Sequence, residues 1–135
     1  MQKVLILAAM LALPAAQAAT PEQLLHDYAQ QARRDSAGYA GPSAVAGRQF
    51  FTARHGDWSC SSCHGANPAA TGRHVVTGKT IAALAPAANP ERFRDAVHVE
   101  KWFRRNCNDT LDRACTTVEK ADVLAYLLTF RAGGA

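Results

Sequence analysis

Methionine is almost absent from this chain. Its two methionines are Met1 and Met10, and none follows. Chemistry that needs a thioether donor in the body of the protein is therefore excluded. Long apolar runs are lacking too. Val4–Leu13 (VLILAAMLAL) is too short to cross a bilayer as a mature helix. Charge of one sign is nowhere concentrated. The net charge is +4, and Arg33-Arg34 and Arg104-Arg105 stand beside Asp35 and Asp109. Such short clusters read as solvated helix faces and argue against a nucleic-acid partner. Cysteine is sparse, at four residues. Cys107 and Cys115 do not form a second Cys-x-x-Cys, which a Cys-only zinc site would want. Strand signals are poor, and no internal repeat is found.

What is present begins with an export signal. Lys3, the apolar run and Ala16-Gln17-Ala18 form a charged start, an apolar stretch and a small-x-small cleavage site. Residues 1–18 are expected to be a signal peptide. Residues 19–135 are then one domain in the periplasm, where disulfides persist and where no mature membrane span is expected. The most specific motif is Cys60-Ser61-Ser62-Cys63-His64. Two cysteines at this spacing followed by histidine are the attachment pattern of a c-type haem. The thiols add to the two vinyl groups on one porphyrin edge, and the adjacent imidazole ligates the iron. One haem c per chain is expected, with Cys60 and Cys63 holding it and His64 as the proximal iron ligand.

The remaining pattern is helical. Thr20-Pro21-Glu22-Gln23 predicts a cap, a proline at the first position and a helix to about Arg33. Ser43–Arg54 predicts a second helix. Residues 65–89, rich in Gly, Ala, Pro, Asn and Thr, predict an irregular loop around one side of the haem. Asn89-Pro90-Glu91 predicts a helix that runs, in one or two pieces, to about Arg105. Thr116-Thr117-Val118-Glu119 predicts a capping box opening a last helix to about Phe130. Gly47 predicts a close helix crossing near Ala125 and Tyr126. This is an all-α arrangement, similar to class I cytochromes c, around one haem.

The sixth iron ligand stays open at this level. An electron-carrier cytochrome c often uses methionine there, and this chain offers none. His26 and His55 precede the motif, His74 sits in the loop, and His98 lies on the helix before Asn106. Lys79 and Lys101 would have to lose a proton. Asn106 and Asn108 stand just before the last helix. Ligand chemistry leaves a histidine and an empty or weakly held position both standing.

Several further segments carry a resemblance. Val99–Asn108 (VEKWFRRNCN), Arg113-Ala114-Cys115-Thr116, Glu119–Asp122 (EKAD), Thr77–Ile81 (TGKTI), Leu84-Ala85-Pro86 and Asn89–Phe93 (NPERF) are similar to the sphaeroides haem protein family. The likeness spans about Gly47 to Leu127. It implies a small class I-like cytochrome c with an asparagine as distal ligand to oxidised iron, here Asn106, which is released on reduction. It implies a disulfide between Cys107 and Cys115, and a dihaem cytochrome c as redox partner. In an exported protein such a bridge closes a short loop and contributes about 2 to 3 kcal/mol on the loop-entropy model. The chain departs from the family at His98, which keeps ligation by His64 and His98 as an alternative.

The functional expectation is a periplasmic haem protein that accepts an electron and, when reduced, takes a diatomic gas such as O2, NO or CO. The alternatives are a plain electron shuttle with two strong ligands, or a haem reductase. His98 and Arg105 are the nearest candidates for the distal acid–base pair that a peroxidase-like enzyme would want.

Overall fold

The first helix, α1 (Pro21–Asp35), begins where its cap chemistry directs. Thr20 Oγ1 accepts from the Gln23 amide at 3.1 Å, with Pro21 in the first turn. Leu24, Tyr28 and Ala32, one turn apart, face inward. The computed structural model describes residues 19–131, so the expected signal peptide lies outside the described residues. The second helix, α2 (Ala44–Thr52), is capped by Ser43 and buries Gly47 and Phe51. The last helix, α5 (Thr117–Leu127), opens with the expected capping box, Thr116 with Glu119, and packs against both α1 and α2. Leu124, Leu127 and Phe51 are fully buried at the centre of this three-helix core. Each contributes about 1.5 to 3 kcal/mol of burial.

The crossing of α2 and α5 does rest on Gly47, but one turn earlier than expected. A Cβ at Gly47 would lie 1.9 Å from the Asp122 carbonyl oxygen and 2.9 Å from the Val123 nitrogen. Asp122 sets this register. Its carboxylate accepts from the Ser43 amide at 2.8 Å and so pins the start of α2 to α5. Helix α1 is tied to the same helix through Thr117 Oγ1, which donates to Asp35 at 2.9 Å.

Between these helices lie the short helix α3 (Cys60–His64) and a mostly irregular segment. That segment contains a two-residue antiparallel ladder, β1 (Gly72–Arg73) with β2 (Thr80–Ile81), paired Gly72 to Ile81 and Arg73 to Thr80. The largest difference from expectation is α4 (Ala96–Leu111). It starts not at Asn89-Pro90 but at an Asp95 cap, whose carboxylate accepts from the His98 amide at 3.0 Å. Residues 90–93 are turns, and buried Phe93 has φ 63°, which breaks any helix there. At its far end α4 runs past Arg105 to Leu111, closed by Asp112 at φ 55°. No glycine or proline interrupts it, and buried Cys107 holds its last turns inward. Asn106 therefore lies within the helix rather than at its end.

Candidate haem site

The proximal half is built on one turn of helix. Ser59 Oγ accepts from the Ser62 amide at 3.1 Å, and the Ser59 amide donates to Ser62 Oγ at 2.9 Å. This reciprocal cap winds the next residues into α3. Cys60 and Cys63, three apart, then share a helix face, and His64 follows one residue on. The sequence analysis missed this cap, whose available signal is the Ser-x-x-Ser pattern, Ser59 and Ser62, straddling the first cysteine. Gly72 presses its backbone against the same turn. A Cβ there would meet the Cys63 carbonyl oxygen at 2.3 Å and the His64 Cα at 3.0 Å. The Val75 amide reaches Cys63 Sγ at 3.5 Å.

The electrostatics suit a neutral nitrogen donor. Burial, then the charge of Arg92, pushes the His64 imidazole down to about 4. His64 therefore carries no proton on one ring nitrogen at neutral pH. Phe51 lies beside it, with ring centroids 6.2 Å apart. Burial pushes the Cys60 thiol up to about 11. Both cysteines are half-buried and free of any disulfide. Two thiols on one face, a neutral imidazole and a glycine cradle fit a covalently attached haem. Among the described residues no group of three or more His, Cys, Asp or Glu is gathered to hold a metal ion.

Two sequence candidates for a distal ligand, His98 and Asn106, lie on α4. Val99, Phe103 and Cys107 form its inward stripe, with Phe103 edge-on to Tyr28 at 5.8 Å. His98, Trp102 and Asn106 form the adjacent stripe at the same four-residue spacing, and all three are exposed from the protein core. Trp102 Nε1 donates to His98 Nε2. His98 and Asn106 are two turns apart, about 12 Å along the axis at 1.5 Å per residue. A disulfide joins Cys107 to Cys115, with Cα atoms 5.6 Å apart, immediately beside Asn106.

The structure engages the other candidate ligands elsewhere. His55 Nε2 donates to the Phe50 carbonyl at 3.1 Å. His74 Nδ1 accepts from the Val76 and Thr77 amides at 3.2 and 3.3 Å. His26 is exposed on α1 beside Gln30. Lys79, Lys101 and Asn108 are exposed.

The comparisons with known proteins bear on the family and the fold. Residues 37–127 match a family described as a domain of unknown function, DUF1924. The cytochrome c-type protein SHP of Cereibacter sphaeroides is 44% identical over 133 residues, covering 94% of this chain and 98% of that protein. Cytochrome c'' of Methylophilus methylotrophus is 42% identical over 113 residues, covering 80% of this chain and 78% of that protein. The crystal structure of oxidised cytochrome c'' superimposes with a TM-score of 0.75 at 40% identity, covering 81% of this chain and 93% of the other. The structure of oxidised SHP, described as an oxygen-binding cytochrome c, superimposes with a TM-score of 0.73 at 41% identity, covering 82% and 97%. With its helices, half-buried Cys-x-x-Cys-His turn and neutral imidazole, the chain belongs to this DUF1924 family of sphaeroides haem protein and cytochrome c'', all-α class I-like cytochromes c with one covalent haem c.

Proposed function

We propose that this protein is a periplasmic cytochrome that takes one electron from another redox protein and, once reduced, holds a diatomic gas. Haem, when bound, supplies a redox-active iron able to hold such a gas. Cys60 and Cys63 anchor it by thioether bonds, and His64 is the permanent iron ligand. Asn106 is the exchangeable one. Its amide oxygen is a neutral, hard donor that suits ferric iron better than ferrous iron, so one-electron reduction releases it. Once displaced, the Asn106 amide nitrogen stays on its helix as a hydrogen-bond donor toward the gas. The observation that carries this reading is the placement of Asn106. It shares a helix stripe with Trp102 outside the core and stands next to Cys107 of the disulfide. That SHP is an oxygen-binding cytochrome c supports the gas, and an associated dihaem cytochrome c is the proposed electron donor.

His98 is the rival ligand. Two turns of α4 separate it from Asn106, so one position of the helix offers the iron one or the other. Visible spectra of oxidised, reduced and CO-treated reduced protein test the reading. Weak-field ferric bands that convert on reduction to a CO-binding form support it. Low-spin bands in both redox states and no CO binding support the plain shuttle instead. Steady-state turnover of O2, peroxide or a nitrogen oxide with a reduced donor would mark an enzyme.

A further inference from the structure

From Trp58 to Pro90 the chain contains no Asp or Glu, yet it carries Arg73 and Lys79. The flanking carboxylates are Asp57 and Glu91, and Glu91 is paired with Arg94 at 3.2 Å. Within this acid-free stretch the turn between β1 and β2 is tightly knit. The His74 amide donates to the Lys79 carbonyl at 2.9 Å, and the Gly78 amide donates to the His74 carbonyl at 2.8 Å. The His74 ring accepts from two further amides of the same turn. Gly78 at φ 67° closes it, with the Arg73 guanidinium alongside. These bonds hold two apolar side chains outward. Val76 is 75% exposed and Val75 39% exposed. An outward valine pair on a rigid turn adds nothing to the core, and its ordering cost is met before any partner arrives. The turn also sits where an electron would enter, because the Val75 amide touches Cys63 Sγ at 3.5 Å.

We infer that the turn Arg73–Lys79 is the docking surface for an electron-donor protein with an acidic face, Val75 and Val76 making the apolar contact and Arg73 and Lys79 steering the approach. The donor, in its reduced form, gives one electron to ferric iron and leaves oxidised. Weak redox encounters bury little area. A small apolar tip with a cationic rim therefore suffices, and charge acts mainly on the association rate. The inference rests on the haem attachment and electron uptake proposed above. α4 carries the competing basic surface, where Lys101 and Arg104 stand beside Val97, 82% exposed. Unlike the turn, it carries an acidic neighbour, Glu100, whose carboxylate is bound to Lys120 at 2.8 Å.

Two charged probes and one inert ion separate the surfaces. The reduced protein is mixed anaerobically with ferricyanide, which takes one electron and becomes ferrocyanide, or with the cationic tris(phenanthroline)cobalt(III). In Arg73→Glu/Lys79→Glu the ferricyanide rate at low salt should fall about tenfold, and the cobalt rate should rise. Val76→Asp, which touches no core residue, should shift both rates the same way by less. Lys101→Glu/Arg104→Glu should leave both near wild type; the opposite pattern overturns the inference and moves electron entry to α4. The binding readout is independent of turnover. Amide chemical shifts followed by NMR during titration with redox-inert hexacyanocobaltate(III) should move at 73–79. Shifts confined to α4, or concentration-dependent shifts at Val75 and Val76 without the ion, overturn it, the latter by assigning the tip to a second copy of the chain. A Soret band in every variant reports haem attachment separately, so loss of haem is read as failure of that proposal rather than of the docking surface.

Discussion

The α3 side and the α4 side of the site are held in different ways. Around α3 the backbone is over-determined. A reciprocal serine cap, the Gly72 backbone and the Val75 amide all bear on five residues. Along α4 the attachments are side-chain contacts: Phe103 on Tyr28, Glu100 to Lys120, and the disulfide near the end. Tyr28 lies at that join. Its buried hydroxyl lies near the Glu100 carboxylate without meeting hydrogen-bond geometry, and no other partner replaces it. On the function proposed above, a ligand on the first side would be the permanent one, and a ligand on the second could leave while its helix stays in place. The contrast suits one fixed and one exchangeable iron ligand on a single small domain.

The severest way to break the α3 side is to remove its thiols. Cys60→Ala/Cys63→Ala should lose all haem that survives denaturation, read by haem staining of a denaturing gel. A Soret band retained on the denatured variant would contradict covalent attachment there.

The α4 side breaks at Asn106. Asn106→Ala should leave ferric iron with water or no distal ligand, seen as a shift to high-spin bands, while ferrous CO binding survives. Asn106→His should give low-spin bands in both redox states and slow CO entry by orders of magnitude, because imidazole binds both oxidation states. The rival is settled by His98→Ala. If that variant alone turns the ferric spectrum high-spin, the asparagine assignment is wrong and the shuttle reading replaces it.

Cutting the disulfide sharpens the comparison without touching the haem. Cys107→Ser/Cys115→Ser should cost about 2 to 3 kcal/mol of unfolding free energy, measured by denaturant titration. It should also speed ligand entry, with haem content unchanged. Equal ligand kinetics with and without the bridge would show that it does not restrain Asn106.

The smallest effect is at the join between α4 and α5. Burial raises the Glu119 carboxyl, but the Arg113 guanidinium, at 2.6 Å, and the Thr116 amide, at 2.8 Å, outweigh it and hold the group below its ordinary range. A carboxyl lowered in the folded state stabilises above its unfolded value, about 4.3. That contribution disappears as pH falls through the lower folded value. Glu119→Gln should therefore cost on the order of 1 kcal/mol at neutral pH. The gap in Tm between variant and wild type should close in strong acid. A gap constant with pH would assign the loss to packing.

Much of this was legible along the chain. The caps at Thr20 and Thr116, the second helix from about Ser43, the Cys-x-x-Cys-His turn and the glycine crossing at Gly47 all involve residues within a few positions or a residue type with one use. The misjudged features were of another kind. α4 begins late because Phe93 turns into the core, and it ends late because Cys107 is buried. The crossing moved one turn because Asp122 binds the Ser43 amide.

The sequence alone determined the haem-attachment motif, the starts of α1, α2 and α5 and the absence of a methionine ligand, because thioether spacing and helix capping are settled within four or five residues. Only the tertiary structure decided that His98, Trp102 and Asn106 share one stripe, that Arg92 acts on His64, and that His55 and His74 are occupied by backbone partners. Those facts depend on where a helix stops and on contacts between residues far apart in the chain, which burial and close packing select and local pattern does not.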